Sequence, residues 1–371
     1  MTEPLRILVV TVVHHPLDAR IHRRQIASLL DAGHRVTYAA PWSAYGVSPS
    51  RGITALELPR AAGRRRVRAL RAARYLLRAQ SPQHDLTVIH DPELLIAARL
   101  ASIRSRLVWD VHEDTVAAMR DRPWLPSWLR RPAIAAVTRL EAMAERNHRL
   151  ILAEEGYVNR FRRPHPVIRN LPRVPNQCPK WSGERRIIYV GRISRLRGAE
   201  EMLRLGRMLR GRGLELHLVG SVDSELRTDV ERAHRLGDVV WHGFLENSEA
   251  LSLVDGAVAG ISLLHDVPNY RVSAPTKVFE YLSRGVPVVT SPLPIPASLV
   301  EELGAGIVTD PSDLEEIVEY AAELADHPQL RLEVGQKAHE YATRRLNWAT
   351  EAGRFVTLIE RWARAKGVSP R

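Results

Sequence analysis

The chain has 371 residues, 45% of them apolar and 26% charged, and a formal net charge of +12. These values exclude a disordered chain, and the length suits two domains of roughly 150–200 residues. One cysteine, Cys178, excludes an internal disulfide and a thiolate metal cage, and the excess of basic residues attracts nucleic acid, anionic lipid or phosphorylated ligands. The apolar run Leu5–Val13 is interrupted by Arg6 and has no cleavage-like end, so it reads as a first strand and not as a signal peptide. No window approaches the ~18–20 apolar residues that span a bilayer. The expectation is a cytoplasmic protein, free or peripheral on the inner face of the cell membrane.

Strand-like and helix-like runs alternate from there on. Ile21–Ala32 has helical spacing and closes at Gly33; Val36–Ala40 is a strand; Asp85–His90 and Arg106–Val111 are strands flanking the helix-like Glu93–Ile103. Between them lie Arg60, Arg64, Arg65, Arg66, Arg68, Arg71, Arg74 and Arg78, with no acid from Arg60 to Arg78. Val67, Leu70, Ala73 and Leu77 recur at helical spacing and predict a basic amphipathic helix. Trp124 and Trp128 follow among Arg120, Arg122, Arg130 and Arg131, a pairing that suits a membrane interface. The basic helix reads either as a docking face for an anionic leaflet or as a solvated helix whose apolar stripe packs on its own domain.

Arg163–Gly183 carries Pro164, Pro166, Pro172, Pro175 and Pro179, which deny helix and central strand and mark a linker. The rhythm then restarts with strands at Arg186–Val190, Leu214–Val219, Val239–Trp241, Ala257–Leu264, Val286–Thr290 and Gly306–Val308. Helices fill Ala199–Arg210, Ser224–Leu236, Ser248–Val254, Thr276–Arg284 and Leu314–Ala325, before a helical tail over Gln329–Ala365. This order predicts an α/β chain of two Rossmann-like, doubly wound domains facing across a cleft, with ligands outside the carboxyl ends of the strands.

The turn after the first strand, Thr11-Val12-Val13-His14-His15-Pro16, lacks the glycines of a dinucleotide fold and argues against an NAD enzyme. The second half opens with a strand ending at Gly191, then Arg192, Arg197 and Gly198 before a helix. Guanidinium forks at a strand end match phosphate oxygens, although the same residues also describe a solvated basic turn. Later, Thr276, Lys277 and Val278 begin a helix whose first-turn N–H groups and positive dipole end suit a phosphate. Glu280, one turn on, stands where a carboxylate can accept from both ribose hydroxyls, or simply pair with Lys277 on a capped helix. In the first half, His90-Asp91-Pro92-Glu93 and Asp110-Val111-His112-Glu113-Asp114 end two consecutive strands. Each histidine there is either a satisfied structural side chain or a ligand contact.

Together these segments resemble the retaining glycosyltransferases of family 4, with the GT-B fold. The family's Gly-Arg-x-x-x-x-Lys-Gly loop is matched by Gly191, Arg192 and Gly198, with Arg197 where lysine is usual. Its Glu-x7-Glu stretch is matched at the second glutamate by Glu280, and its Gly-x-Pro-Val by Gly285-Val286-Pro287-Val288. The first glutamate falls on Val272, which cannot play that part, and the usual glycine pair of the first loop is His14-His15 here.

The resemblance implies an N-terminal acceptor domain over 1–170, a linker over 171–184, a nucleotide-sugar domain over 185–340, and a C-terminal helix within 341–371 crossing back to the first domain. It implies a UDP-sugar or GDP-sugar donor, retention of configuration, no cofactor and no metal. Arg192, Arg197 and Lys277 would neutralise the diphosphate, with Gly191, Gly243, Thr276, Val278 and Glu280 around the nucleotide. His112 would face the diphosphate and sugar, while Asp18, Arg20, His90 and Glu113 would border an unidentified acceptor. The alternatives are a nucleotide-sugar epimerase of the same fold and a non-enzymatic nucleic-acid binder. The second does not explain phosphate loops at strand ends and lacks a base-stacking platform, so no nucleic-acid partner is expected.

Overall fold

The structure, a computed structural model, describes residues 3–103, 106–112, 115–116, 127–181 and 183–365. The chain divides into two compact units, Met1–Asn170 with Ala349–Arg371 and Leu171–Trp348.

The first unit holds β1 (Arg6–Val10), β2 (Arg35–Ala40), β3 (Ile53–Glu57), β4 (Leu86–Ile89), β5 (Leu107–Val111) and β6 (Arg149–Leu152). They form one sheet in the order β3-β2-β1-β4-β5-β6, and every pairing is parallel. The central strands β4 and β5 are buried along their whole length, which is why they read as unbroken apolar runs. The edge strand β3 is only partly covered. The helix expected from Ile21 begins two residues earlier, as a π-helix over Ala19–Ile26 that passes into an α-turn over Ala27–Asp31. Asp18 caps it, accepting from the Arg20 and Ile21 N–H groups at 2.8 and 3.0 Å. The wider turn puts Arg20 and Gln25, five residues apart, on one face, where both donate to Asp110.

The basic segment is a helix, Arg66–Gln80, whose expected stripe packs inward at Leu70, Ala73 and Leu77 but not at Val67. Ala69, Ala73 and Leu77 are the residues buried in the first unit's core, whereas Val67 is 58% exposed. Its apolar stripe is therefore spent on the fold. Trp124, Arg120 and Arg122 lie outside the described residues. No helix among the described residues is long and apolar enough to cross a membrane.

The second unit holds β7 (Arg186–Val190), β8 (Glu215–Val219), β9 (Val240–Trp241), β10 (Ala259–Ser262), β11 (Val288–Thr290) and β12 (Gly306–Val308). The sheet runs β12-β11-β10-β7-β8-β9, again all parallel. Alternation along β7 sends Ile187 and Tyr189 into a core with Leu205 and Leu218, and Ile188 into another with Val278, Tyr281 and Val286. The proline-rich stretch is irregular apart from an isolated bridge between Val167 and Leu152. The tail is two helices, Pro328–Arg345 and Trp348–Arg364, and not the single one its apolar spacing suggested; Leu346 leaves helical geometry at ψ 33°. The last helix belongs to the first unit, where Glu360 pairs with His34 at 3.0 Å and Trp362 lies beneath Arg149.

Candidate functional site

In the second unit the strand-end loop is shaped by two glycines. Gly191 sits at φ 141°, and a Cβ there would stand 3.4 Å from the Lys277 Nζ. Gly198 sits at φ 78°, and a Cβ there would come within 2.5 Å of the Leu263 carbonyl oxygen. Between them the loop sends its two arginines in different directions. Arg192 is 64% exposed at its side chain and donates to Asp223 at 2.5 Å. Arg197 turns inward and hydrogen-bonds the hydroxyls of Tyr189 and Tyr270.

Lys277 meets Arg197 from the start of the helix Thr276–Ser283. It is 8% exposed, has no hydrogen-bond partner among the described residues, and lies 4.0 Å from the centroid of the Tyr189 ring. Burial, then the Arg197 charge, push its amine well below the usual lysine value, and Glu280 offsets only part of this. The same burial would lower Arg197, but its contacts with Tyr189 and Tyr270 outweigh it and hold the proton more tightly. Two cations thus converge beside a glycine with no acid hydrogen-bonded to Lys277, which is a site built for an anion.

The remaining expected residues take distinct places. Glu280 is buried one turn along and accepts from the Asn247 side chain at 3.3 Å. Val278 serves the core: its side chain is fully buried and its N–H donates to the Pro275 carbonyl, so the helix start offers the Thr276 and Lys277 amides. The Gly243 carbonyl accepts from the Gly220 N–H at 2.7 Å and ties the loop after β9 to the end of β8. Val272 is exposed, just past the short helix whose Tyr270 reaches Arg197.

In the first unit a second cluster gathers at the carboxyl ends of β1, β4 and β5. Arg20 grips both carboxylate oxygens of Asp110 at 2.7 and 2.8 Å and donates to the Ile168 carbonyl at 3.0 Å. Asp110 is fully buried; burial would raise its carboxyl, but Arg20 overcomes this and holds it well below the usual range. Arg20 is therefore committed to the protein interior.

His90 lies 3.2 Å from Asp110 and is kept toward its neutral form by burial. The His112 Nδ1 is 3.1 Å from the Asp110 carbonyl, and its Nε2 is 3.0 Å from the Nε2 of His14. Asp91 accepts from Thr11, from the Val12 and Val13 N–H groups and from His14. Burial would raise Asp18, yet it is lowered, chiefly by His14 and the Ile21 N–H. Glu113 lies outside the described residues. His90, Asp110 and His112 place ligand atoms within 4.8 Å of one another. Both oxygens of Asp110 are already taken by a guanidinium, so this cluster is organised around Arg20 and suits a metal ion poorly.

Sequence reasoning named the glycines, arginines, lysine and glutamate but not Tyr189, Tyr270, Asn247 or the His14–His112 pair. A tyrosine two residues before a strand-end glycine was the available signal for Tyr189. The histidine pair spans 98 residues and leaves none.

Residues 173–341 match the family model described as glycosyl transferases group 1. No curated protein matches the chain in sequence. Among solved structures, sucrose-phosphate synthase (tll1590) from Thermosynechococcus elongatus is similar with a TM-score of 0.74 at 15% identity, over 96% of this chain and 98% of that one. Alr3699/HepE of Anabaena, in complex with UDP and glucose, gives 0.69 at 16% identity over 96% and 99%. WaaG, a glycosyltransferase involved in lipopolysaccharide biosynthesis, gives 0.69 at 15% over 95% and 99%. The shared architecture is the two-domain α/β GT-B fold, and the match to the group 1 model lies within the second unit.

Proposed function

We propose that the chain transfers a sugar from a nucleoside-diphosphate sugar to an acceptor hydroxyl, with retention and without a metal ion. The observation that carries this is the buried Lys277, without a hydrogen bond among the described residues, beside Arg197 at a glycine-framed strand end in a stretch that matches the glycosyltransferase model. Negative charge grows on the leaving diphosphate as the glycosidic bond breaks. Preorganised cations in a water-poor site stabilise that charge more than any other group here could. Arg197 and Lys277 supply it from within, and Arg192 from the rim once it leaves Asp223. Glu280 receives the ribose hydroxyls.

UDP is the donor nucleotide we favour, because HepE was solved with UDP and with UDP-glucose. In the first unit His112 is assigned to the donor's diphosphate and sugar, with Asp18 and His90 toward the acceptor. Arg20 and Asp110 set the orientation of His112. A thermal-shift panel of UDP, GDP and their sugars tests the donor assignment, since a true ligand stabilises by mass action. UDP and UDP-sugars should raise the melting temperature; a flat response to every nucleotide would reject the reading.

A second observation concerns where the enzyme works. The outward face of Arg66–Gln80 and the turn before it carries Arg64, Arg68, Arg71 and Arg78 with Tyr75, which is 71% exposed. We propose that this stripe rests on anionic lipid, where each basic residue contributes about 1 kcal/mol near the surface.

A further inference from the structure

Two cations crowd one end of β7, and the group common to them carries no charge. Tyr189 is fully buried in the core of the second unit, and its polar and cation contacts go to the loop arginines and to Lys277. The ring face lies beneath the Lys277 ammonium, 4.0 Å from Nζ. The hydroxyl donates to the Arg192 carbonyl at 2.7 Å and accepts from the Arg197 guanidinium. The Gly191 turn closes over it: a Cβ there would stand 3.5 Å from the hydroxyl oxygen. A carboxylate in this position would orient the same cations but cancel their charge. A phenol orients them and leaves the charge for a ligand.

We propose that Tyr189 is a positioning residue for the diphosphate site, seating Lys277 on its ring and pinning the Arg192–Arg197 turn through its hydroxyl. This rests on the reading of that site as one for a nucleoside diphosphate. The charged and titratable groups facing Lys277 are Arg197 from the loop, Glu280 from its own helix and Tyr189 from β7, with Tyr270 behind Arg197. Of these, the Tyr189 ring is the contact that favours the ammonium form without neutralising it. Removing the ring should move the loss of anion affinity to lower pH. A merely structural defect would not do that.

The test is isothermal titration of UDP into the full chain, across pH, for wild type, Tyr189→Phe, Tyr189→Leu, Lys277→Ala and the Tyr189→Leu/Lys277→Ala pair. Tyr189→Leu and Lys277→Ala should each weaken UDP about tenfold or more, and the pair should be no more than about twofold worse than Lys277→Ala alone. Tyr189→Phe keeps the ring, so it should lose less affinity and retain the wild-type pH profile, while Tyr189→Leu shifts that profile downward. If Tyr189→Leu does not fold, the same cycle between Tyr189→Phe and Arg197→Ala reads the hydroxyl's share and decides. Wild-type affinity in both Tyr189 variants alongside a loss in Lys277→Ala would overturn the proposal and spare the anion site. Losses that multiply in the pair would overturn it as well. Absence of UDP binding by the wild type would sink the underlying site, and this proposal with it.

Discussion

Lys277 carries the cost of burying an ammonium with no hydrogen-bonded acid beside it. The unfolded chain binds its proton up to the ordinary lysine value of 10.5, whereas the folded chain gives it up at lower pH. Between those two values the unfolded state holds more protons, so this residue's contribution to stability improves as pH rises. Lys277→Met should therefore raise the melting temperature of the empty protein at neutral pH, with a gain that shrinks toward pH 10.5. UDP should no longer stabilise the variant. A melting temperature that tracks wild type at every pH would mean the ammonium is not buried.

The arginines separate in the same way. Arg197→Ala should lower kcat/KM about a hundredfold or more, by the measure of lost electrostatic stabilisation. Arg192→Ala should cost clearly less, because Arg192 is exposed and already paired with Asp223. Equal losses would place Arg192 against the diphosphate as firmly as Arg197. These roles were only half legible in the sequence. Gly191, Arg192, Arg197 and Gly198 stand in one short loop, so their spacing suggested a phosphate loop. Which arginine turns inward depends on Tyr189, Tyr270 and Asp223, and side-chain direction is not encoded in spacing. Arg20 likewise reads as an acceptor contact until Asp110, 90 residues away, is seen to accept from its Nε and one terminal nitrogen.

The elements that position the site can be tested singly. Gly198 begins the helix Ala199–Arg210 in a left-handed conformation packed on the Leu263 carbonyl. Gly198→Ala should lower stability and UDP affinity together, since the loop has to shift to admit a Cβ. Intact affinity by titration calorimetry would show that the loop can move without consequence. For Arg66–Gln80 the apolar spacing predicted the helix and most of its buried stripe, Leu70, Ala73 and Leu77; it missed Ala69 and wrongly included Val67, because alanine marks a buried face weakly. Its exposed arginines should draw the protein onto anionic vesicles at low salt and release it as salt rises. Replacing Arg64, Arg65, Arg68 and Arg71 with glutamine should abolish sedimentation with those vesicles and leave UDP binding untouched. Equal sedimentation with neutral vesicles would refute an electrostatic contact. The parallel strands with buried faces were plain from their β-branched runs. The edge strands β3 and β6 were not: β3 is half-covered or exposed along its length, and β6 follows directly on a long helix.

At the scale of the whole molecule, two doubly wound units divide the chemistry. The second holds the Arg197–Lys277 pair proposed for a diphosphate, and the first holds a histidine cluster wired through Asp110 and Arg20. The sequence announced two α/β halves because the strand–helix rhythm stops at the prolines and restarts after them. With Arg197 and Lys277 in the place of a metal ion, transfer should survive excess chelator; loss that magnesium or manganese restores would reverse that reading. The most direct measurement is calorimetric titration of UDP, UMP and uridine into metal-free wild type and Arg197→Ala. The account predicts tight binding of UDP and much weaker binding of UMP and uridine by wild type, a preference that Arg197→Ala largely erases. UDP and uridine binding alike, or a UDP affinity unchanged in Arg197→Ala, would contradict it.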